Sequence, residues 1–223
     1  LALSRIMAKW MMGVKIIEPD TRDPVLRSLL LKVHGFARKA GIEKMPQVGY
    51  YEAEDLNAFA TGPTRNRSLV AVSTGLLRNM NESELDGVLA HEVAHIANGD
   101  MVTLALIQGV VNTFVMFFSR IIGNFVDRVI FKNEDGPGIA YFVTSIIADI
   151  VLGILASTIV MWFSRRREFR ADEAGARLAG KQSMINALRR LQAEHDVPDH
   201  MPAEMTALAI TEGRREGFSL AKL

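Results

Sequence analysis

The stretch His91-Glu92-Val93-Ala94-His95 decides how the rest of this 223-residue chain is organised. Residues four apart on an α-helix project from one face, so His91 and His95 can bind a single metal ion together. Glu92 then lies beside that ion, where a carboxylate can serve as a base. The pattern predicts the zinc site of a hydrolase. The alternative is two histidines that merely share a helix face, with a solvated glutamate between them.

Residues upstream of the motif predict that it lies inside a helix. Asn81 is a suitable N-cap, and Glu84 follows at the position that completes a capping box. Apolar residues then recur at helical spacing at Leu85, Val88 and Leu89. A helix that starts at this cap would carry both histidines on one face, as a shared metal ion requires.

The composition narrows the possible functions. The net charge of +1 argues against nucleic-acid binding, because there is no broad basic excess to neutralise phosphates. The absence of cysteine excludes disulfides, a thiol nucleophile and thiolate metal ligands. Any zinc must therefore be held by imidazole and carboxylate groups. The histidines of the chain are His34, His91, His95, His195 and His200.

Two long apolar stretches follow the motif. Residues 101–119 contain no charged side chain, and residues 139–163 contain only Asp149. At about 1.5 Å per residue, each stretch can cross a hydrocarbon core about 30 Å thick. Together they predict a transmembrane helical hairpin over 101–163 with a polar loop at 120–138. Buried core helices of a soluble protein are the alternative.

The segments before the motif predict a scaffold with a small sheet. Residues 1–19 mix apolar and basic side chains, which is typical of a membrane-proximal segment or of an amphipathic helix packed on the domain. Residues 20–100 form the first part of a catalytic domain, with a helix that starts at Asp23 and Pro24. Short extended runs predict a small antiparallel sheet. These runs are 47–51, 57–61 and 69–73, with turn residues Gly62, Pro63 and Asn66 between the last two.

One of these runs is a candidate for substrate binding. In zinc proteases, an edge strand beside the metal commonly holds a peptide by backbone pairing. Asn57, Ala58, Phe59 and Ala60 form the candidate strand. A purely structural hairpin is the alternative.

A third metal ligand is predicted in the second part of the catalytic domain, residues 164–223. Glu168 and Asp172 are four apart, so on a continuing helix they share a face, one as ligand and the other as support for an imidazole. If both apolar helices run on, His95 and Glu168 lie about 9 and 7.5 Å beyond their membrane ends, at nearly one height. An exposed helix face with an i,i+4 charge pattern is the alternative.

The basic run Arg165-Arg166-Arg167 indicates an orientation. Arginines near the end of a membrane span favour the cytoplasmic side, so the predicted site should face the cytoplasm. Binding of anionic lipid headgroups also explains the run and places it on the same face.

Three segments together resemble the HtpX-type membrane zinc metalloproteases, which are relatives of the type I CAAX prenyl proteases. They are Asn57–Gly62 (NAFATG), His91–Asp100 (HEVAHIANGD) and Ser164–Asp172 (SRRREFRAD). The resemblance spans most of the chain. It implies a mainly α fold with a small antiparallel sheet, in which a gluzincin-like zinc metalloprotease domain is interrupted by a transmembrane hairpin.

The resemblance also implies the roles of individual residues. It implies one Zn²⁺ per chain, with His91, His95 and Glu168 as ligands. Glu92 is implied as the catalytic base, and Asp172 as a support of the site.

The function implied is stress-related cleavage of misfolded or damaged membrane proteins at the cytoplasmic face of a bacterial-type inner membrane. Expected partners are membrane lipids and such substrates, without nucleic acid, and the multi-pass chain could form an oligomer. A zinc-binding membrane scaffold or chaperone-like protein that no longer cleaves is the alternative, and a prenyl-peptide protease is a third interpretation. Family members usually carry a further hydrophobic hairpin upstream and a His-Pro and Arg segment downstream, so we expect this chain to be a fragment.

Overall fold

The structure, a computed structural model, describes residues 13–132 and 136–195, without the side chain of His195. Most of the predicted membrane-proximal segment 1–19 lies outside these ranges. So do His200 and the remainder of the predicted segment 164–223 beyond residue 195.

The described residues are mainly helical, as predicted. The helices are α1 (Pro24–Lys39), α2 (Thr74–Asn79), α3 (Glu82–Asn98), α4 (Asp100–Phe125), α5 (Ile139–Ala179) and α6 (Lys181–His195). A π-helical turn, Val126–Ile130, continues α4. The strands are β1 (Lys15–Ile16), β2 (Gln47–Tyr51), β3 (Ala58–Thr64) and β4 (Arg67–Ser73).

The sheet is mixed, which corrects the prediction of a purely antiparallel sheet. Its strand order is β1-β2-β4-β3, and β2 pairs with β4 in parallel while the other two pairs are antiparallel. The reason is that β3 and β4 form a hairpin whose second strand takes the place beside β2. The chain therefore runs in the same direction in β2 and β4, which local sequence patterns do not reveal.

Gly62 and Pro63 lie inside β3 and not in the predicted turn. The register with β4 is irregular between Thr61 and Thr64, and the turn is formed by residues 65 and 66. Proline is tolerated here because β3 is an edge strand of the described sheet, where one side of the strand makes no ladder hydrogen bonds.

Helix α3 is fixed between the sheet and other helices. One core cluster joins Val33 of α1, Val48 of β2, Val70 of β4, Leu89 of α3 and Leu191 of α6, all of them buried. Full burial of an aliphatic side chain of this size contributes about 1.5–3 kcal/mol. The helix that carries the H-E-x-x-H motif is thus packed into the core, which limits movement of its side chains.

The predicted start of α3 is confirmed. The Glu84 N–H donates to Asn81 Oδ1 at 3.0 Å, and the Asn81 N–H donates to Glu84 Oε2 at 2.9 Å. Both bonds of the capping box are therefore formed.

The described chain divides into two compact units. One contains residues up to Val102 and from Arg165 onward, and the other is Thr103–Ser164. Two helices, Asp100–Ile130 and Ile139–Ala179, are long and apolar enough to cross a membrane. The second unit exposes many large apolar side chains, among them Phe117. Such a surface is typical of contact with lipid and not with water.

Candidate metal centre

Three side chains from two helices converge in the first unit. The Nε2 atoms of His91 and His95 on α3 lie 3.0 Å apart, and each is 3.3 Å from Oε2 of Glu168 on α5. The structure therefore brings together the three residues predicted as metal ligands, as a group that could hold one ion.

The spacing of these atoms fits zinc. A tetrahedral ion with ligand bonds of about 2.0–2.1 Å needs neighbouring ligand atoms about 3.3 Å apart. The observed separations of 3.0 and 3.3 Å are close to this requirement. Three protein ligands also leave a fourth coordination position open, as catalytic zinc sites do and structural sites do not.

A carboxylate faces the far nitrogen of each imidazole. Asp172 Oδ1 lies 2.8 Å from His91 Nδ1, and Asp100 Oδ2 lies 2.9 Å from His95 Nδ1. Such partners orient the ring so that Nε2 points to the metal position, and they make that nitrogen more basic. Asp172 occupies the place that its spacing predicted. The sequence pattern alone does not predict the role of Asp100.

A glycine explains how Asp100 reaches His95. Gly99 adopts a left-handed conformation with φ 73°, and its N–H caps the carbonyls of His95 and Ile96. This ends α3, so the condition of the height estimate, that the motif helix runs straight on into the first apolar helix, is not met. The turn lets the next side chain fold back onto the helix end. A glycine that closes a motif helix and is followed by an acid is a sequence signal for this arrangement.

The close approach of α5 to α3 depends on Gly175. A Cβ at this position would meet the end of the Met184 side chain and would lie 3.1 Å from the His91 backbone nitrogen and 3.2 Å from its Cα. Because Gly175 has no side chain, α5 can come near enough for Asp172 and Glu168, one and two turns earlier, to reach the imidazoles.

The charges of the site favour a cation at its centre. Burial alone would lower the pKa of His91, but Asp172 and Glu168 outweigh burial and raise the pKa to about 9. The pKa of His95 is raised against burial by Asp100 and Glu168. Conversely, although burial would raise it, the two imidazoles hold the pKa of Glu168 well below its usual range.

Glu92 is buried beside the three converging side chains. Burial raises its pKa, against the opposing effects of His91, His95 and a hydrogen bond from the backbone of Ala60. Its Oε1 has no hydrogen-bond partner among the residues that the structure describes. A buried carboxylate with a raised pKa and an unused acceptor is suited to accept a proton.

The candidate substrate strand lies next to Glu92. The Ser73 N–H donates to the Asn57 carbonyl at 2.9 Å. Hydrogen-bonded pairs alternate in an antiparallel ladder, so Asn57 and Phe59 face β4 while the backbone groups of Ala58 and Ala60 point to the open edge of β3. The hydrogen bond from Ala60 to Glu92 is consistent with this orientation.

A paired-histidine helix with an acidic third partner, a buried glutamate and an adjoining edge strand defines the class of metal-dependent peptidases. The two apolar helices make this a membrane protein of that class.

Comparison with known proteins identifies the family. Residues 23–211 match peptidase family M48, and the chain belongs to that family of metalloproteases. It is 59% identical over 228 residues to Protease HtpX of Acinetobacter baylyi, a match that covers 99% of this chain and 75% of the relative. It is 61% identical over 220 residues to Protease HtpX of Pseudomonas fluorescens, covering 98% and 74% respectively. The predicted resemblance is confirmed.

The fold is also similar to that of a solved structure. The crystal structure of S. mikatae Ste24p matches with a TM-score of 0.60 and 16% identity, over 92% of this chain and 53% of that chain. This chain therefore spans about half the length of Ste24p, and the likeness concerns the fold.

Substitution of Gly175 tests the helix contact. We expect the added methyl group of Gly175→Ala to crowd the Met184 side chain and the His91 backbone, push α5 away from α3, weaken zinc binding and destabilise the protein by about 1–3 kcal/mol, as overpacking does. Zinc affinity is measured by competition with a chelator, and stability by thermal unfolding in detergent.

Gly35→Ala is the matched control, because Gly35 is also helical but an added Cβ meets no atom within 4 Å. It should be neutral or stabilising by up to about 1 kcal/mol. Equal behaviour of the two variants would contradict the close contact.

The raised pKa of His91 predicts how metal binding depends on pH. With a pKa of about 9, His91 is protonated near neutral pH in the metal-free protein, and a metal bound through Nε2 must displace that proton. The affinity for zinc should rise by about tenfold per pH unit below pH 9, where metal binding displaces one proton, and should level off above pH 9.

Calorimetric titration in buffers with different ionisation heats measures the protons released. His34→Ala is the control, since His34 contacts the Pro46 carbonyl outside the site. Metal binding without proton release at pH 7 would contradict the assigned protonation.

Proposed function

We propose that this chain is a zinc-dependent endopeptidase of a bacterial-type inner membrane. In this proposal it cleaves misfolded or damaged membrane proteins at the cytoplasmic face, in stress-related quality control. The observation that carries the proposal is the triangle of His91 Nε2, His95 Nε2 and Glu168 Oε2 beside the buried Glu92. Relatives named Protease HtpX support the proteolytic activity.

We assign one Zn²⁺ per chain to His91, His95 and Glu168. Asp172 and Asp100 would fix the orientation of the two imidazole rings through their Nδ1 atoms. A zinc ion bound there supplies Lewis acidity toward the peptide carbonyl and the attacking water. The protein's contribution is to fix three ligand atoms and leave one position accessible.

Glu92 is assigned as general base and then general acid. Its Oε1 accepts a proton from the water whose oxygen bonds to the carbonyl carbon. The same proton then passes to the amide nitrogen as the C–N bond breaks, which returns Glu92 to its carboxylate form. Burial supports this role because the raised pKa brings the carboxylate closer to the affinity needed to take and return a proton near neutral pH.

The open edge of β3 is assigned to the substrate backbone. The outward groups of Ala58 and the outward carbonyl of Ala60 can pair with an extended peptide, while the Ala60 N–H is used by Glu92. Recognition through the main chain depends little on side chains. It therefore suits substrates that are selected by unfolding and not by sequence.

The two apolar helices support the proposed membrane topology. His91 and His95 precede the first apolar helix, and Glu168 follows the second apolar stretch. Two crossings of the membrane would therefore return the chain to the side on which it started. Arg165 and Arg166 are exposed just past the second apolar stretch. Basic residues at this position favour the cytoplasmic face and contact with anionic lipid.

Removal of the base is the main test. We expect Glu92→Gln to retain zinc and to lower cleavage of an unfolded membrane protein by about 10²–10⁴-fold, the usual effect of losing a general base. Metal content is measured by mass spectrometry, and cleavage with and without a chelator.

Glu84→Gln is the control, because Glu84 lies on the same helix but in its N-terminal capping box. Peptidase activity retained in Glu92→Gln would refute the assignment. A wild-type protein that binds zinc but cleaves nothing would favour the scaffold interpretation.

Backbone pairing at β3 predicts a periodic response of the substrate. A series of peptides, each N-methylated at one residue, should lose cleavage at alternate positions, because only every second N–H of an extended peptide faces the β3 edge. Unmethylated peptide of the same sequence is the control. A response without a two-residue period would argue against strand pairing.

A further inference from the structure

The two carboxylate oxygens of Glu168 have different surroundings. Oε2 faces the Nε2 atoms of His91 and His95 at 3.3 Å each. Oε1 accepts two N–H groups from Arg167, from Nη2 at 2.6 Å and from Nε at 3.2 Å. One oxygen therefore points at the metal position, and the other is bound by a guanidinium group.

Arg167 makes Oε1 unavailable to a metal ion. A carboxylate oxygen has two lone-pair directions, and two N–H groups of one guanidinium converge on this atom. Charge-assisted hydrogen bonds are about twice as strong as neutral ones. The Arg167 side chain is only 19% exposed, so water competes weakly for these bonds.

The coordination mode of Glu168 matters for catalysis. A carboxylate that bound through both oxygens would occupy two coordination positions. Together with His91 and His95 it would fill the fourth position, which a catalytic zinc site keeps open.

We propose that Arg167 is a positioning residue that keeps Glu168 a one-oxygen ligand and so keeps the fourth coordination position open. This inference rests on the proposed function, in which Glu168 is a zinc ligand. This role requires a guanidinium group, because a lysine carries the same charge but cannot direct two N–H groups from one rigid plane toward Glu168 Oε1.

The change in zinc affinity when Arg167 is removed distinguishes a positioning role from a purely structural one. Arg167 places a positive charge near the metal position, so its removal should leave zinc affinity unchanged or tighter. Turnover should fall, because Glu168 can then take the open position. A residue that only stabilised the fold around Glu168 would lose zinc affinity when removed.

The test compares Arg167→Met, Arg167→Lys and the control Arg170→Met in the full chain. Arg170 is exposed and lies on the same helix. Zinc affinity is measured by competition with a chelator. Access to the fourth coordination position is measured from the affinity of the cobalt(II) form for imidazole, a neutral ligand, followed by the visible absorption of the ion.

We expect Arg167→Met to hold zinc at least as tightly as wild type, to bind imidazole more weakly in its cobalt(II) form and to turn over about 10–100-fold more slowly. Arg167→Lys should change in the same direction by less, and Arg170→Met should match wild type. If Arg167→Met does not fold, the Lys variant decides by the same readouts.

Two results would overturn the proposal. Either unchanged imidazole affinity of the cobalt(II) form and unchanged turnover, or weaker zinc binding with unchanged imidazole affinity, excludes the positioning role. Glu168→Ala separates this failure from that of the proposed function. If Glu168→Ala binds zinc like wild type, the ligand assignment itself is wrong, whereas loss of zinc there with wild-type behaviour of the Arg167 variants contradicts only this inference.

Discussion

The packing of α5 against the backbone of His91 is the contact on which the site depends. Gly175 allows this approach, and two turns of α5 then present Asp172 and Glu168 to the imidazoles. Asp172 and Glu168 can reach the histidines because α3 is fixed in the core between the sheet and α6. If α3 were loosely packed, the same residues would be present but the distances between their side chains would vary. The chemistry of the centre is therefore a consequence of helix packing as much as of the motif.

Electrostatics explains why these groups remain together in a buried place. Four carboxylates, those of Glu92, Asp100, Glu168 and Asp172, surround only two imidazoles. Buried negative charge is unfavourable unless cations balance it. The same imbalance that raises the pKa values of the histidines also favours a divalent ion, which can replace their protons. Protons and a metal ion therefore compete at this site, because either can balance its excess negative charge.

Local features of the sequence were sufficient for much of the fold and for the two histidines on one face of α3, whereas the contact of Glu168 with them depends on helix packing. The Asn81 capping box and the His91 spacing are properties of single helices, and the structure contains both. The parallel pairing of β2 with β4 and the position of Pro63 inside a strand depend on which strand lies at the edge, so no local pattern revealed them. Asp100 was missed for a similar reason, since its role requires the reversal of the chain at Gly99.

The contact of Glu92 with the Ala60 backbone links the base to the proposed substrate edge. Because Ala60 belongs to β3, a peptide that paired with β3 would be held in a fixed relation to the carboxylate of the proposed base. Pairing requires several consecutive residues in extended form, with their backbone groups unengaged. A folded protein uses those groups in its own helices and sheets, and a lipid-embedded helix satisfies them internally. On the proposed function, selection of damaged substrates then needs no separate recognition element, because only a segment that has lost its own structure can align its peptide bond with Glu92.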